Sequence, residues 1–480
     1  MGSRGTGPGA RLRFRQDGLS VVRLSPDTLA GRGGVATQPS YDRSQNAGIV
    51  HFGIGAFHRA HQAWYTDACL AAGERDWMTT GVSMRSARVA NQLNPQGGLF
   101  TLTERSRDGE ETRAIGAVQG VLIAGRDRSA IAQRLARPEC HVASFTVTEK
   151  GYCRASDGSL DRELARAGFY PLLTDALMQR RQAGRSGLTL LSCDNLSGNG
   201  SQLGRLMRDW LAGEAPGMVD WFDANCSTPD SMVDRIVPAT TERDIASLED
   251  RIGLRDEGAV FTEPFSQWII ADDFAGARPR WDDHGAKIVT DVTPYETAKL
   301  RMLNGAHSLL AYAGLDAGHK FVHQAIANPV LRGQTLALMR EEAAPTIAAG
   351  EGQNLTGYAD ALIARFENPG LDHRLFQIAM DGSQKIPQRW LETLAIQRER
   401  GRRCPVILQG IGHWLLHVRG DRRPVEDPLA DRMRALWRQA GVGGIVNAIF
   451  GRGGLLASQW QPDRIEAETI RGVLLSESSL

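Results

Sequence analysis

The densest group of side chains able to move protons or hold oxygen is Pro294-Tyr295-Glu296-Thr297-Ala298-Lys299-Leu300-Arg301-Met302-Leu303-Asn304-Gly305-Ala306-His307. Periodicity predicts a helix over Tyr295 to Ala313. At about 100° per residue, Glu296, Lys299, Asn304 and His307 fall within an arc of roughly 140°, and Lys299 to His307 rises roughly 12 Å. One such face can line a hexose-length chain. Interconverting a carbinol and a carbonyl requires a base for the hydroxyl proton, neutral donors for the oxygen and an acceptor for the hydride. Lys299 suits the base, Asn304 and His307 the donors, and Glu296 an outlet for the proton. The same pattern also suits a surface helix with Lys299 and Glu296 in water and His307 bonded to backbone. Asn304-Gly305 weighs against that, since both residues cost helix stability. Lysine is scarce: apart from Lys150, Lys287, Lys299, Lys320 and Lys385, all 56 cationic residues are arginine. Arginine keeps its proton, whereas lysine gives its proton up when buried, so a retained lysine marks a position that needs one.

A second group sits near the other end of the chain. The apolar run Gly48-Ile49-Val50-His51-Phe52 feeds Gly53-Ile54-Gly55-Ala56-Phe57, and a helix is expected from His58 to about Ala72. Strand, Gly-x-Gly and helix is the geometry that sets a pyrophosphate on helix-terminal amides. His58 replaces the third glycine of the full pattern. After a second extended run, Trp77 to Met84, the sequence Ser83-Met84-Arg85-Ser86-Ala87-Arg88 lacks the carboxylate that would receive an adenosine ribose. Arg85 and Arg88 suit a 2′-phosphate, although an ordinary surface loop is the commoner place for arginine, so NAD and NADP both stay open. Asn195, in Cys193-Asp194-Asn195-Leu196-Ser197-Gly198-Asn199-Gly200, follows another buried run, where open α/β sheets bind ligands; a helix cap before Ser201 explains the segment as well. Asp381-Gly382-Ser383-Gln384-Lys385 is a third polar group, placed between helices.

These groups need elements to position them. Apolar runs at Val118 to Ala124, His141 to Thr148, Leu188 to Cys193 and Ala259 to Thr262 alternate with helical stretches such as Ser201 to Ala212, which implies a parallel sheet covered on both faces. From about residue 294 the segments Asn328 to Ala344, Ala359 to Arg365, Gln388 to Arg398 and Arg422 to Gln439 are all expected to be helices. The expected class is therefore α/β: an arm over 1–46 with a short turn around Leu24 to Leu29, a Rossmann-like NAD(P)-binding domain with a mostly parallel sheet over 47–290, and an all-helical domain over 291–480. A chain of 480 residues is long enough for two or three domains. Its formal net charge of +1 offers no excess to hold nucleic acid or an anionic membrane. No run approaches the roughly 20 apolar residues of a membrane span, and the six cysteines have no Cys-x-x-Cys spacing, which points to reduced thiols and the cytoplasm. No Cys/His spacing suggests a metal site. Gly2 and Thr6 fit a myristoylation pattern that small residues meet by chance.

The assembled motifs resemble the long-chain polyol dehydrogenases, the mannitol dehydrogenase and fructuronate reductase family. The resemblance lies in IVHFGIGAFHRAHQAWYTD (49–67), TVTEKGYC (146–153), LSCDNLSGNG (191–200), SMVDRIVP (231–238), FTEPFSQWIIADDF (261–274), KLRMLNGAHS (299–308) and QIAMDGSQKIPQRW (377–390), and it extends over nearly everything after about residue 46. It implies a zinc-independent, NAD(P)-linked secondary alcohol dehydrogenase. In that scheme Lys299 is the general base, Asn195 and Asn304 are oxyanion donors, and His307 orients the substrate. Asp234, Lys385 and the proton-relaying Glu296 complete the site, while Gly53, Ile54, Gly55, Ala56, Phe57, His58 and Arg85 meet the cofactor. The TEKGYC segment and the run from Gln377 look more like fructuronate reductases than mannitol dehydrogenases, which tend to have glycine at Lys150 and arginine at Gln377. Lys150 is then the expected partner of a substrate carboxylate. The expectation is NAD-linked interconversion of D-mannonate and D-fructuronate by a cytoplasmic enzyme, with a monomer as the provisional state, and mannitol or arabinitol oxidation to a ketose as the alternative.

Overall fold

The computed structural model describes residues 22–30 and 33–476; the Gly2 and Thr6 pattern lies outside them. The chain forms two compact units, Met1–Val292 and Thr293–Leu480.

The first unit is built on five parallel strands, β1 (Ile49–Phe52), β2 (Thr79–Ser83), β5 (Val118–Ile123), β6 (Val142–Phe145) and β7 (Thr189–Ser192), in the order β5-β2-β1-β6-β7. Ile49 pairs with Thr79 on one side of β1 and with Val142 on the other. Alternate side chains of these strands enter opposite cores. Val50, Phe52, Ala143, Phe145 and Leu190 pack with the helices Arg128–Ala136, Tyr170–Gln182 and Asn199–Glu214. Ile49, Val142 and Leu191 pack on the other face with the helix Gln62–Ala71, Trp268 and Trp281. Burial on both faces is why these strands are apolar runs in the sequence. The strand order reverses direction at β1, and the crevice beyond the strand ends at such a point is where open α/β sheets take ligands.

Two smaller sheets were not expected. β3 (Phe100–Ser106) and β4 (Gly109–Ile115) form an antiparallel hairpin. β9 (Val260–Thr262), expected among the parallel strands, pairs instead with β3 outside the main sheet. β8 (Ser231–Asp234), β10 (Gln267–Ala271) and β11 (Lys287–Val289) make the third sheet. The expected arm is also tied down before it reaches β1. Arg43 donates to the carbonyls of Gly116, Gly97 and Val118 at 2.9, 2.7 and 2.8 Å, and Tyr41 hydrogen-bonds the half-buried carboxylate of Asp67. Backbone carbonyls left without a ladder partner need donors, and Arg43 supplies three of them.

The second unit is helical throughout. Gly305–Asp316 is buried on nearly every side, as a helix at the centre of a bundle must be. Around it pack Leu375–Ala379, Pro405–Arg419 with its Trp414, and the segment bearing Trp390. The helix expected from Arg422 begins only at Ala430, because Pro424 and Pro428 deny the preceding residues a helical ladder; it then runs to Phe450, bent at Gly441 with φ +57°. The helix expected over Tyr295 to Ala313 is not uniform. Thr293–Ala298 and Gly305–Asp316 are α-helical, and Lys299–Asn304 between them is a wide π-helical turn.

Candidate active site

The cofactor end starts from β1. Gly53 has φ +92°, and a Cβ there would stand 2.1 Å from the Thr146 carbonyl oxygen, so only glycine lets β1 turn this close to β6. Thr146 Oγ1 donates to the Gly53 carbonyl at 2.7 Å. Behind the turn lies a buried polar chain in which His51 Nδ1 meets Ser144 Oγ and Nε2 meets Thr146 Oγ1, both at 2.8 Å, and Ser144 Oγ stands 2.8 Å from the side-chain amide of Gln62. Burial lowers the His51 pKa to about 3, so the ring is neutral. His58 stacks on it with ring centroids 3.5 Å apart, fully buried, and its pKa too is held well below the usual range by burial and then by His51. His58 therefore offers a ligand on the surface its backbone and not its ring.

The expected helix from His58 to Ala72 starts earlier and breaks. It is Ala56–Ala60 followed by Gln62–Ala71, with His61 at φ −123°, ψ −93°. The break frees the Ala60 carbonyl for Arg235 Nη1 at 2.6 Å, while His61 Nε2 lies 3.0 Å from the Gln267 carbonyl. Gly55 is the N-cap of Ala56–Ala60 and supplies no side-chain acceptor, and a Cβ there would have only the Gly53 carbonyl nearby, at 3.7 Å. First-turn amides lack intrahelical partners, so amides left uncapped beside an open approach fit a pyrophosphate. Ile54 is buried, whereas Gly53, Gly55, Ala56 and Phe57 are half-buried at the turn. At the end of β2, Ser83 Oγ closes the turn on the Ser86 carbonyl at 2.6 Å, and Arg85 is exposed without an ion pair among the described residues.

Asn195 is exposed just beyond β7. It does not cap the helix that follows: that N-cap is Gly198, and the Ser201 amide and hydroxyl bond Asp230 at 2.8 and 2.9 Å. The neighbouring Asp194 accepts the amides of Val147 and Thr148 and the Tyr152 hydroxyl, all at 2.9 Å, and so fixes the loop after β6 to the loop after β7. The sequence reading passed over Asp194, although its position after a buried run was a signal. Asp234 ends β8 and is buried; Lys150, on the turn Glu149–Tyr152, is exposed.

On the second unit, Glu296, Lys299 and Asn304 are half-buried and His307 is buried along one continuous helical run. In the wide turn residues five apart, and not four, come round to meet one another, which brings Lys299 and Asn304 closer to one line than a regular helix does. His307 rests against Phe366 and His373, with centroids 4.8 and 5.0 Å away, and its Nε2 has no hydrogen-bond partner among the described residues. Burial, then His373, Arg365 and Arg389, hold it well below its usual pKa. A neutral imidazole with a free, buried ring nitrogen is suited to bind a hydroxyl or carbonyl oxygen. Lys385 donates to the carbonyls of Met380 at 2.6 Å and Ile378 at 3.3 Å, and its pKa is lowered by burial and then by Arg389. Gln377 is exposed on Leu375–Ala379. No group of three or more His, Cys, Asp or Glu among the described residues is placed to hold a metal ion.

The fold defines the class: a Rossmann-like dinucleotide-binding domain followed by a helical domain. Residues 47–283 match the family model of the mannitol dehydrogenase Rossmann domain, and residues 291–449 that of the mannitol dehydrogenase C-terminal domain. The chain belongs to the mannitol dehydrogenase family. It is similar to a D-mannonate oxidoreductase of Escherichia coli (strain K12), 37% identical over 88% of this chain and 91% of the relative. A mannitol 2-dehydrogenase of Pyrenophora tritici-repentis (strain Pt-1C-BFP) is 34% identical over 90% of this chain and 79% of its own. Among solved structures, Pseudomonas fluorescens mannitol 2-dehydrogenase in ternary complex with NAD and D-mannitol superposes with a TM-score of 0.79 at 31% identity, covering 95% of this chain and 96% of that one.

Proposed function

We propose that this protein interconverts D-mannonate and D-fructuronate with NAD(H). When bound, the nicotinamide accepts or returns the hydride. Lys299, as an unprotonated amine, takes the hydroxyl proton from the secondary carbinol, and as an ammonium it returns that proton to the carbonyl oxygen. Asn304 and Asn195 take the donor roles toward that oxygen, and His307, kept neutral by burial, orients the carbon chain. Glu296 is the proton outlet, Asp234 and Lys385 complete the substrate contacts, and Lys150 is the partner for the carboxylate. Gly53 to His58 seat the pyrophosphate.

The observation that carries this reading is the run from Lys299 to His307, a scarce lysine beside an asparagine and a neutral histidine whose buried Nε2 has no hydrogen-bond partner among the described residues. The 37% identity to a D-mannonate oxidoreductase favours the uronate. A comparable 34% identity to a mannitol 2-dehydrogenase supports a second reading, oxidation of mannitol or a related polyol such as arabinitol to a ketose. Steady-state assays with fructuronate, fructose and mannitol, each with both dinucleotides, separate the two. The first reading expects fructuronate to give the highest kcat/KM. Turnover of fructose and mannitol without fructuronate overturns it.

A further inference from the structure

The second unit contains a half-buried cation that the proposed chemistry has not used. Arg389 lies in the segment Pro387–Leu391, itself a wide π-helical turn packed against Lys299–Asn304. Its Nη1 donates to the Asn304 carbonyl at 3.2 Å and to the Ser308 hydroxyl at 2.9 Å. The next residue, Trp390, is fully buried and donates Nε1 to the Gly305 carbonyl at 3.2 Å. Two consecutive side chains thus hold two consecutive carbonyls where the wide turn hands back to an α-helix. We propose that Arg389 is a positioning residue of the reaction, holding the turn that presents Lys299 and Asn304 to the substrate.

The charge is the unusual part. Arg301, from the neighbouring wide turn, bonds the Thr346 carbonyl and hydroxyl and has a carboxylate in Glu392 at 3.2 Å. Arg389 has no carboxylate partner among the described residues, and burial lowers its pKa to about 10, with only the Tyr312 hydroxyl acting the other way. Taking a guanidinium with no carboxylate partner even partly out of water costs stability, and a neutral amide would have served two oxygen acceptors at less cost. What a cation adds is a fixed positive field along the start of this helix. That field opposes a proton on His307 and on Lys385, whose pKa values both fall partly through Arg389. The frame holds Asn304 and the turn in place, and the field adds to the burial that keeps His307 neutral.

The inference rests on the site proposed above, and two variants of the full-length protein test it, Arg389→Met and Arg389→Lys. Each is assayed on whichever sugar the wild type turns over, beside Lys299→Ala, with dinucleotide binding and thermal unfolding measured in parallel. A misplaced turn is expected to lower kcat by roughly tenfold to a hundredfold in R389M, with KM and dinucleotide Kd nearly unchanged and R389K intermediate. Wild-type kcat in R389M overturns the inference, as does a loss confined to KM. If R389M does not fold, R389K decides alone, and a kcat within about twofold of wild type overturns the inference. Full activity of K299A, by contrast, sinks the general-base reading and leaves the Arg389 comparison to stand or fall by itself.

Discussion

Lys299 is one of five lysines in a chain that otherwise uses arginine, and it stands at the first residue of a wide turn. As the general base it must be an amine that can exchange a proton, which no arginine can do. Lys299→Ala is therefore expected to lower kcat by roughly 10² to 10⁴, while the dinucleotide Kd, measured by fluorescence titration, stays near the wild-type value. A variant with wild-type turnover would remove the amine from the chemistry. The residue types of this run stand out in the sequence by their helical spacing, a spacing that a plain surface helix would share. The geometry was only half legible. A face of roughly 140° assumes 3.6 residues per turn throughout, and an i→i+5 turn is imposed by what packs against it, which the local sequence does not announce. Arg389 went unnoticed for a related reason, since its acceptors at Asn304 and Ser308 are distant in the chain.

At the scale of elements, the five parallel strands were legible because burial on both faces makes them unbroken apolar runs such as Ile49–Phe52 and Val142–Phe145. The β3–β4 hairpin was not. Its Glu104, Arg105, Glu110 and Glu111 break any apolar run, and its only plain signal was Asp108-Gly109 at the turn. The helix Pro405–Arg419 was missed despite Pro405 at its start and Gly420 past its end, both ordinary boundary signals. That helix depends on a third wide turn, Leu338–Ala343, whose Glu342 accepts the amides of Val406 and Ile407 at 2.8 and 2.9 Å. Burial raises the Glu342 pKa to about 7 despite those two amides. The folded state therefore holds a proton that the unfolded chain releases between about pH 4.5 and 7, so this group makes the protein less stable as pH rises through that window. The effect is on the order of 3 kcal/mol. Glu342→Gln, which cannot titrate, is expected to flatten the slope of stability between pH 5 and 8 in denaturant titrations; parallel slopes for the two proteins would refute the assignment.

For the whole molecule, each unit has its own core: the first unit's sheet is enclosed by two aliphatic and aromatic clusters, and the second's is a single helical cluster running from Ala298 to Leu474. A dinucleotide seated at the Gly53 turn binds only the folded first unit and so raises its stability by linkage, about 2.7 kcal/mol at a hundredfold excess over Kd. That should move thermal unfolding upward by a few degrees, and the size of the shift orders the two dinucleotides without any need to know the sugar. The side chain that could separate them is Arg85, exposed past β2 with no ion pair among the described residues. If it meets a 2′-phosphate, Arg85→Ala should shrink the NADP shift and leave the NAD shift alone, because ribose hydroxyls offer the guanidinium no charge to pair. With NAD as the working cofactor, the wild type shows the larger shift with NAD and the variant changes little with it. A larger wild-type shift with NADP, abolished by R85A, reverses the cofactor assignment while leaving Lys299 and its turn untouched, since adenosine recognition and proton transfer are assigned to side chains of different units.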